Sequence, residues 1–346
     1  MTPAQSKSMA LSPADSTMQK LVLAVKSRFG SGFKIENVVL PTLGGSNRTT
    51  IFDLVEAQDR RRLVARQTTY EGKDSPFIPA ASQFRIMKVA ADHGVPVPEP
   101  VFAFEPQDDL GEGFVTAFVE GETLPNRILG SPEYADILPG LSERCAEVLA
   151  LLHSIEPTKV DILAATSDSV DPLEAQRRRY DLYQEPHPAV ELALRWLERN
   201  RPTSRQACFL HGDFRVGNLM VDRTGLRAVL DWECSHLGYR MEDIGWLCTR
   251  SWRFGRVNRP VGGFAQRKDF YRAYERASGR NVDAEQVRYW EIFGLVKWTI
   301  LNIMQAYGHT HEGRRSVAFV ACGRNTNLVE YDMLMTLLRR FPDDEL

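Results

Sequence analysis

Residues 211–233 read HGDFRVGNLMVDRTGLRAVLDWE, and the fold is decided by how this stretch doubles back on itself. Two apolar runs, Leu219 to Val221 and Leu226 to Leu230, flank Asp222-Arg223-Thr224-Gly225, the composition of a hairpin turn. With a four-residue loop at Asp222 to Gly225, Val221 faces Leu226. Counting back sets Asn218 opposite Val229, with Asp231 diagonal to Asn218 on the same face. Diagonal neighbours lie roughly 7–8 Å apart at the backbone, close enough for a carboxylate and an amide oxygen to converge on one cation. Two hard oxygen ligands suit Mg2+, which takes one or two protein carboxylates and completes its shell with water and phosphate.

Asp213 precedes Asn218 by five residues, the spacing of the base and the metal-binding Asn in the protein-kinase loop H-R-D-x-x-x-x-N. An Asp there accepts the proton of a substrate hydroxyl and aims its oxygen at the γ-phosphorus. Phosphoryl transfer asks for little covalent work, so positioning and charge neutralisation supply most of the rate. Arg215 sets a planar fork of donors against the γ-phosphate oxygens. His211 reads as a hydrogen-bonded structural histidine, because metal-bound phosphates need no separate acid.

Outward from this stretch the pattern changes twice. Residues 18–30 carry apolar side chains at helical spacing, and residues 34–57 and 61–68 read as three strands of an antiparallel meander with a glycine turn inside it. Residues 80–93 are helical, and the runs PVPEPVFAFEP and GFVTAFVEG supply two more strands. Beyond Gly121 the reading is helical at 141–154, 172–184, 188–200, 241–252, 265–278, 284–307 and 327–341, with 218–231 the one β interruption. The expectation is an α+β protein of two lobes: a disordered tail at 1–17, a β-rich N-lobe at 18–121 and a mainly helical C-lobe at 122–346.

Composition excludes several alternatives. With 43 basic and 45 acidic residues the net charge is −2, so no global field draws the chain to nucleic acid or to a membrane. The five cysteines form no CxxC pair or zinc-spaced cluster, which predicts a reduced, cytoplasmic protein. Residues 1–17 lack the pattern of a signal peptide, and the most apolar run, FGLVKWTILNIM at 293–304, is interrupted by Lys297 and Asn302, so no membrane span is expected. GxxxxGK[ST] and GxGxxG are both missing from the sequence. Leu43-Gly44-Gly45-Ser46-Asn47 instead offers small residues between strands, where backbone amides can approach phosphate.

HGDFRVGN, followed by AVLDWE and then GYRMEDIGW, resembles the aminoglycoside phosphotransferase family, whose members have a two-lobed protein-kinase-like fold. The resemblance runs from about residue 34 to the C-terminus. It implies Asp213 as base, Asn218 and Asp231 as magnesium ligands, and Asp243 as a structural carboxylate near the catalytic loop. It further implies Gly45 and Ser46 on the phosphates, Arg66 in place of the phosphate-binding lysine, and Val119, in the hinge Ala117–Gly121, on the purine of ATP or GTP. Gln83 stands where the family usually has Glu, and accepts a hydrogen bond from Arg66 without the charge. Gly238 is followed by Tyr239 and Arg240 instead of the family's common Gly-Asp-Pro.

Between Arg250 and Arg280 nine basic residues face only Asp269 and Glu275. Such a stretch disfavours a polycationic acceptor and favours one bearing phosphate, carboxylate or coenzyme A. SWRFGRVNRPVGGF resembles the kinase-like domains fused to some acyl-CoA dehydrogenases. The reading is a Mg2+-dependent phosphotransferase from a nucleoside triphosphate to a small hydroxylated metabolite, anionic or hydroxyacyl, without nucleic-acid or membrane partners. An aminoglycoside-type antibiotic kinase and a nucleotide-binding pseudokinase scaffold are the alternatives.

Overall fold

A computed structural model describes residues 13–41, 47–68, 75–203 and 206–342. The chain begins with α1 (Pro13–Phe29), β1 (Lys34–Val39), β2 (Asn47–Glu56), β3 (Asp59–Thr68), α2 (Ala80–Asp92), β4 (Pro100–Ala103) and β5 (Gly113–Ala117). There follow α3 (Pro125–Gly130), α4 (Leu138–Ser154), α5 (Ser167–Val170), α6 (Pro172–Tyr183) and α7 (Pro188–Arg199). The rest comprises β6 (Ala207–Leu210), β7 (Leu219–Asp222), β8 (Gly225–Val229), β9 (His236–Tyr239), α8 (Met241–Cys248), α9 (Arg267–Ser278), α10 (Ala284–Thr310) and α11 (Val317–Leu337). Its contacts divide the chain into two units, Met1–Tyr70 with Glu99–Phe118, and Glu71–Pro98 with Val119–Leu346.

The first unit is a five-stranded sheet ordered β1-β2-β3-β5-β4, antiparallel at every pairing. The meander read from the sequence is there, and β2 and β3 pair over ten residues, from Asn47 with Thr68 to Glu56 with Asp59. Leu21, Ala24 and Val25 share one face of α1 at helical spacing and pack with Phe52, Leu54, Leu63, Ala65, Phe102 and Val115 of the sheet. Arg28 fixes the end of the helix by a two-pronged bond to Asp108, at 2.8 and 2.7 Å, with its guanidinium 4.5 Å from the centre of the Phe102 ring. The helix starts at Pro13, five residues before the periodicity suggested, since proline's fixed φ suits a first turn.

The second unit is helical apart from two small ribbons, β6 with β9 and β7 with β8. Helix α2 groups with this unit, whereas the sequence reading had placed it with the strands of the N-lobe. The β6–β9 ribbon was not foreseen: ACFL and HLGY are four residues each, too short for a period to declare itself. Helix α11 begins ten residues earlier than read, at Val317. Gly323, which weakens the pattern there, lies where a Cβ would come 2.8 Å from Ala306 Cβ, so the small residue lets α11 close on α10. Among the described residues no helix is long and apolar enough to cross a membrane.

Phe52 is fully buried at the centre of the first unit's core. Phe52→Ala should destabilise the protein by about 3–5 kcal/mol, transfer and cavity costs together. Urea denaturation of both proteins checks this, and a loss under about 1 kcal/mol would contradict the packing described.

Candidate active site

Strand β6 delivers the chain into His211-Gly212-Asp213, and the turn there is held by its backbone. The N–H groups of His211 and Gly212 donate to the two carboxylate oxygens of Asp243, each at 2.9 Å. Gly212 has φ 76°, and a Cβ at this position would come 2.1 Å from the Cys234 carbonyl oxygen, so only glycine fits. Lys297, from α10, donates to the Gly212 carbonyl at 2.8 Å. Asp243 lies in the first turn of α8 and is fully buried. Burial opposes its charge, but the His153 hydrogen bond at 3.2 Å, the His153 and His211 rings and the His211 N–H hold the carboxyl below its usual range. His153 is oriented in turn by Tyr274, whose hydroxyl lies 2.8 Å from Nδ1.

His211 uses both ring nitrogens locally. Nδ1 accepts from the Asp213 N–H at 3.2 Å, and Nε2 faces the Leu230 carbonyl at 2.9 Å, an arrangement that selects the neutral Nε2–H tautomer. Burial lowers its pKa accordingly. The ring is a strut between the Asp213 turn and the end of β8.

Three donors orient the Asp213 carboxylate. Oδ1 accepts from Arg215 Nε at 3.0 Å and from the Trp246 indole at 2.9 Å, and Oδ2 accepts from Asn218 Nδ2 at 2.6 Å. Trp246 stands on α8 one turn after Asp243, so one short helix anchors both the backbone of the turn and the carboxylate. Arg215 lies 4.8 Å from the centre of the Trp252 ring, and burial works against its charge while Asp213 and Asp231 keep its pKa above the ordinary arginine value.

Asn218 is not opposite Val229. Arg227 is the extra residue of a bulge, so the pairing slips and Leu219 faces Val229, although Val221 still faces Leu226. Asn218 sits just before the ribbon, in a single 3-10 turn, and its carbonyl accepts from Leu230 N at 2.8 Å. That bond ties it to the residue just before Asp231. Its amide nitrogen is committed to Asp213, leaving the amide oxygen as the end able to face a cation. Asp231 has φ 61° and ψ 64°, a left-handed conformation that costs a non-glycine residue about 1–3 kcal/mol and that clusters at ligand sites. A carboxylate and an amide oxygen are a donor set that fits Mg2+. Among the described residues no three His, Cys, Asp or Glu side chains form a metal cage, so any cation here would complete its shell from phosphate and water.

Arg66 is in β3, paired across the sheet with Thr49 and Phe114. Gln83 is buried on α2 and donates to the Ile78 carbonyl at 3.0 Å. Val119 opens the second stretch of the helical unit, and Gly45 and Ser46 fall outside the described residues. The basic stretch at 250–280 is partly offset by carboxylates from other elements. Arg250 faces Asp332 at 3.6 Å, Arg253 and Arg267 share Glu291 at 3.1 and 2.8 Å, and Arg276 meets Glu143 at 3.1 Å. All five cysteines are free, and burial lifts the Cys145, Cys208, Cys234 and Cys248 thiols, favouring their neutral form. Sequence reasoning passed over Lys297, Trp246 and His153. The one signal for Lys297 was a charge amid the apolar residues of 293–304.

A second buried charge backs the turn. His236 faces the Cys234 carbonyl through Nδ1 at 2.9 Å and Glu242 through Nε2 at 3.1 Å, so both nitrogens must donate and the ring is a cation. Burial opposes that charge, yet Glu242, with Asp168 nearby, lifts the pKa above the ordinary histidine value.

Two outcomes follow from these contacts. Asp243→Asn turns an amide NH2 toward one of two backbone N–H groups and should cost about 1–3 kcal/mol in denaturant unfolding. An unchanged midpoint would exclude the anchoring role. For His236 the folded pKa is raised, so its stabilisation is complete below the unfolded value of about 6.5 and is lost as pH climbs through the higher folded value. The stability gap between wild type and His236→Gln should therefore narrow as pH rises above about 6.5, and a gap that widens would show the ring to be neutral.

Residues 41–280 match the sequence profile of the phosphotransferase enzyme family. Acyl-CoA dehydrogenase family member 10 of Mus musculus is 31% identical over 203 residues, which cover 54% of this chain and 18% of that protein. The chain thus spans under a fifth of that curated relative's length. Among solved structures, a candidate aminoglycoside phosphotransferase of Ralstonia eutropha superposes with a TM-score of 0.71 at 20% identity, covering 93% of this chain and 98% of the other. Spectinomycin phosphotransferase APH(9)-Ia, in complex with ADP and spectinomycin, does so with a TM-score of 0.64 at 12% identity, covering 92% and 98%. Such likeness establishes the kinase-like α+β fold expected from residues 211–233. The matched span runs from β2 through α9 and includes Asp213, Asn218, Asp231 and Asp243, and the chain belongs to the phosphotransferase enzyme family.

Proposed function

We propose that the protein moves the γ-phosphate of ATP or GTP to a hydroxyl of a small anionic or hydroxyacyl metabolite. The observation that carries this reading is Asp213, a carboxylate fixed by Arg215, Trp246 and Asn218, with the strained Asp231 alongside. Asp213 is the base: it takes the proton of the acceptor hydroxyl as that oxygen bonds to the γ-phosphorus, and the bond from phosphorus to the β,γ-bridging oxygen breaks to release the nucleoside diphosphate. Asn218 and Asp231 would hold Mg2+, which supplies charge neutralisation on the phosphates when bound. Arg215, leashed to Asp213 through Nε, keeps its two terminal nitrogens for the transferring phosphoryl group. Gly45, Ser46, Arg66, Gln83 and Val119 take the nucleotide in the same reading.

Two observations support an acceptor that is not polycationic. The faces of Trp246, which donates to the base, and of its neighbour Trp252 already carry the protein's own cations, Lys297 at 5.0 Å and Arg215 at 4.8 Å from the ring centres. Like charge disfavours a second cation there. The dehydrogenase name of the mouse relative makes an acyl thioester with a free hydroxyl the leading candidate.

Turnover of ATP and GTP against cationic, neutral and anionic alcohols tests the reading, with activity on the anionic set expected. Asp213→Asn should lower turnover by about 10²–10⁴-fold with nucleotide affinity nearly intact, because the base acts on the acceptor. Asp231→Ala should weaken Mg-nucleotide binding and turnover together. Calorimetry with and without magnesium separates the two variants, and equal affinity in Asp231→Ala and wild type would contradict the metal assignment.

A further inference from the structure

Helix α10 is buried along most of its length, and Lys297 in its middle is 5% exposed. Lysines are almost never buried unless paired, because an uncompensated cation in the interior is costly. Among the described residues no carboxylate comes within ion-pair distance of this one. Its ammonium makes two other contacts: the Gly212 carbonyl at 2.8 Å and the face of Trp246, 5.0 Å from the ring centre. Burial opposes the charge, but the Cys234 thiol and the Glu242, Asp168 and Asp213 carboxylates around it lift the pKa above the ordinary lysine value.

Both contacts end at Asp213. The Gly212 carbonyl belongs to the peptide unit from which Asp213 hangs, and the preceding peptide unit is gripped by Asp243 through the Gly212 N–H. Trp246, the aromatic face under the ammonium, donates its own N–H to Asp213 Oδ1 at 2.9 Å. A single side chain thus touches the backbone and the side-chain support of the same carboxylate, and does so from a helix far along the sequence.

We propose that Lys297 is a positioning residue for phosphoryl transfer, setting the peptide plane before Asp213 and the angle of the Trp246 indole that aims its carboxylate. The inference rests on the kinase reading of Asp213 and adds to it a residue that touches neither nucleotide nor acceptor. Removing the charge while keeping the bulk, as in Lys297→Met, leaves the buried Gly212 carbonyl without a donor and the indole without its cation. Displacements of about 1 Å in such supports can cost roughly 10²-fold in rate.

The test compares wild type, Lys297→Met and Lys297→Arg as full chains, with MgATP and MgGTP as probes and the best alcohol from the acceptor screen. Lys297→Met should lower kcat by about 10²-fold with the nucleotide KM changed less than about threefold. Hydrogen exchange should rise in the peptide covering 211–214 and stay unchanged in α4, and Lys297→Arg should recover part of the lost kcat. Unchanged kcat and unchanged exchange in Lys297→Met overturn the proposal. So does exchange that rises everywhere, with kcat and KM failing together and no recovery in Lys297→Arg, since that is the signature of a general packing role. A wild type inactive on every acceptor removes the kinase reading and this role with it, whereas an active wild type with an equally active Lys297→Met removes only the role.

Discussion

The arrangement depends on one carboxylate accepting two consecutive backbone N–H groups. A turn that enters the interior at Leu210 and must leave with a charged side chain facing outward exposes peptide donors that neither ribbon can use. Asp243 takes both, and its own charge is secured by His153. Everything beside it is referred to that anchor: the left-handed Gly212, the His211 strut to β8, and the direction in which Asp213 emerges. Because Trp246 belongs to the same turn-and-a-half of helix as Asp243, backbone and carboxylate cannot drift independently.

The buried charges around the turn follow a common logic. His236 is held as a cation by Glu242, His211 is held neutral by its tautomer, and Lys297 stays charged against a carbonyl and a ring. Each polar group is satisfied by a partner on a different element, so the network ties β6, β8, β9, α4, α8 and α10 together where apolar packing alone would leave several arrangements of similar energy.

Much of this was legible in advance because short polar motifs at fixed spacing admit few geometries. HGDxxxxN followed by an apolar strand ending in DWE pointed to Asp213, Asn218 and Asp231 as neighbours, and Asn218 does bond to Asp213 and, through its carbonyl, to Leu230, the residue before Asp231. The route differed: the bulge at Arg227 shifts the ribbon by one residue, and a bulge leaves no mark in a pattern of alternating apolar residues. Strands β6 and β9 were lost for lack of length, and the partners of the 250–280 arginines because Asp332, Glu291 and Glu143 lie on helices remote in sequence. Lys297 was visible only as an interruption. A charge in an apolar helix announces that something is paired with it but not what, and its partner here is a backbone atom that no side-chain pattern encodes.

The left-handed backbone at Asp231 has a consequence for how this protein tolerates change. A glycine at that position would relax the left-handed backbone, while removing a carboxylate whose charge acts on Arg215. On the proposed metal reading it would also delete the charged oxygen ligand beside Asn218. On that reading, a screen that scores only folding and an assay that scores turnover would weigh residue 231 by different measures.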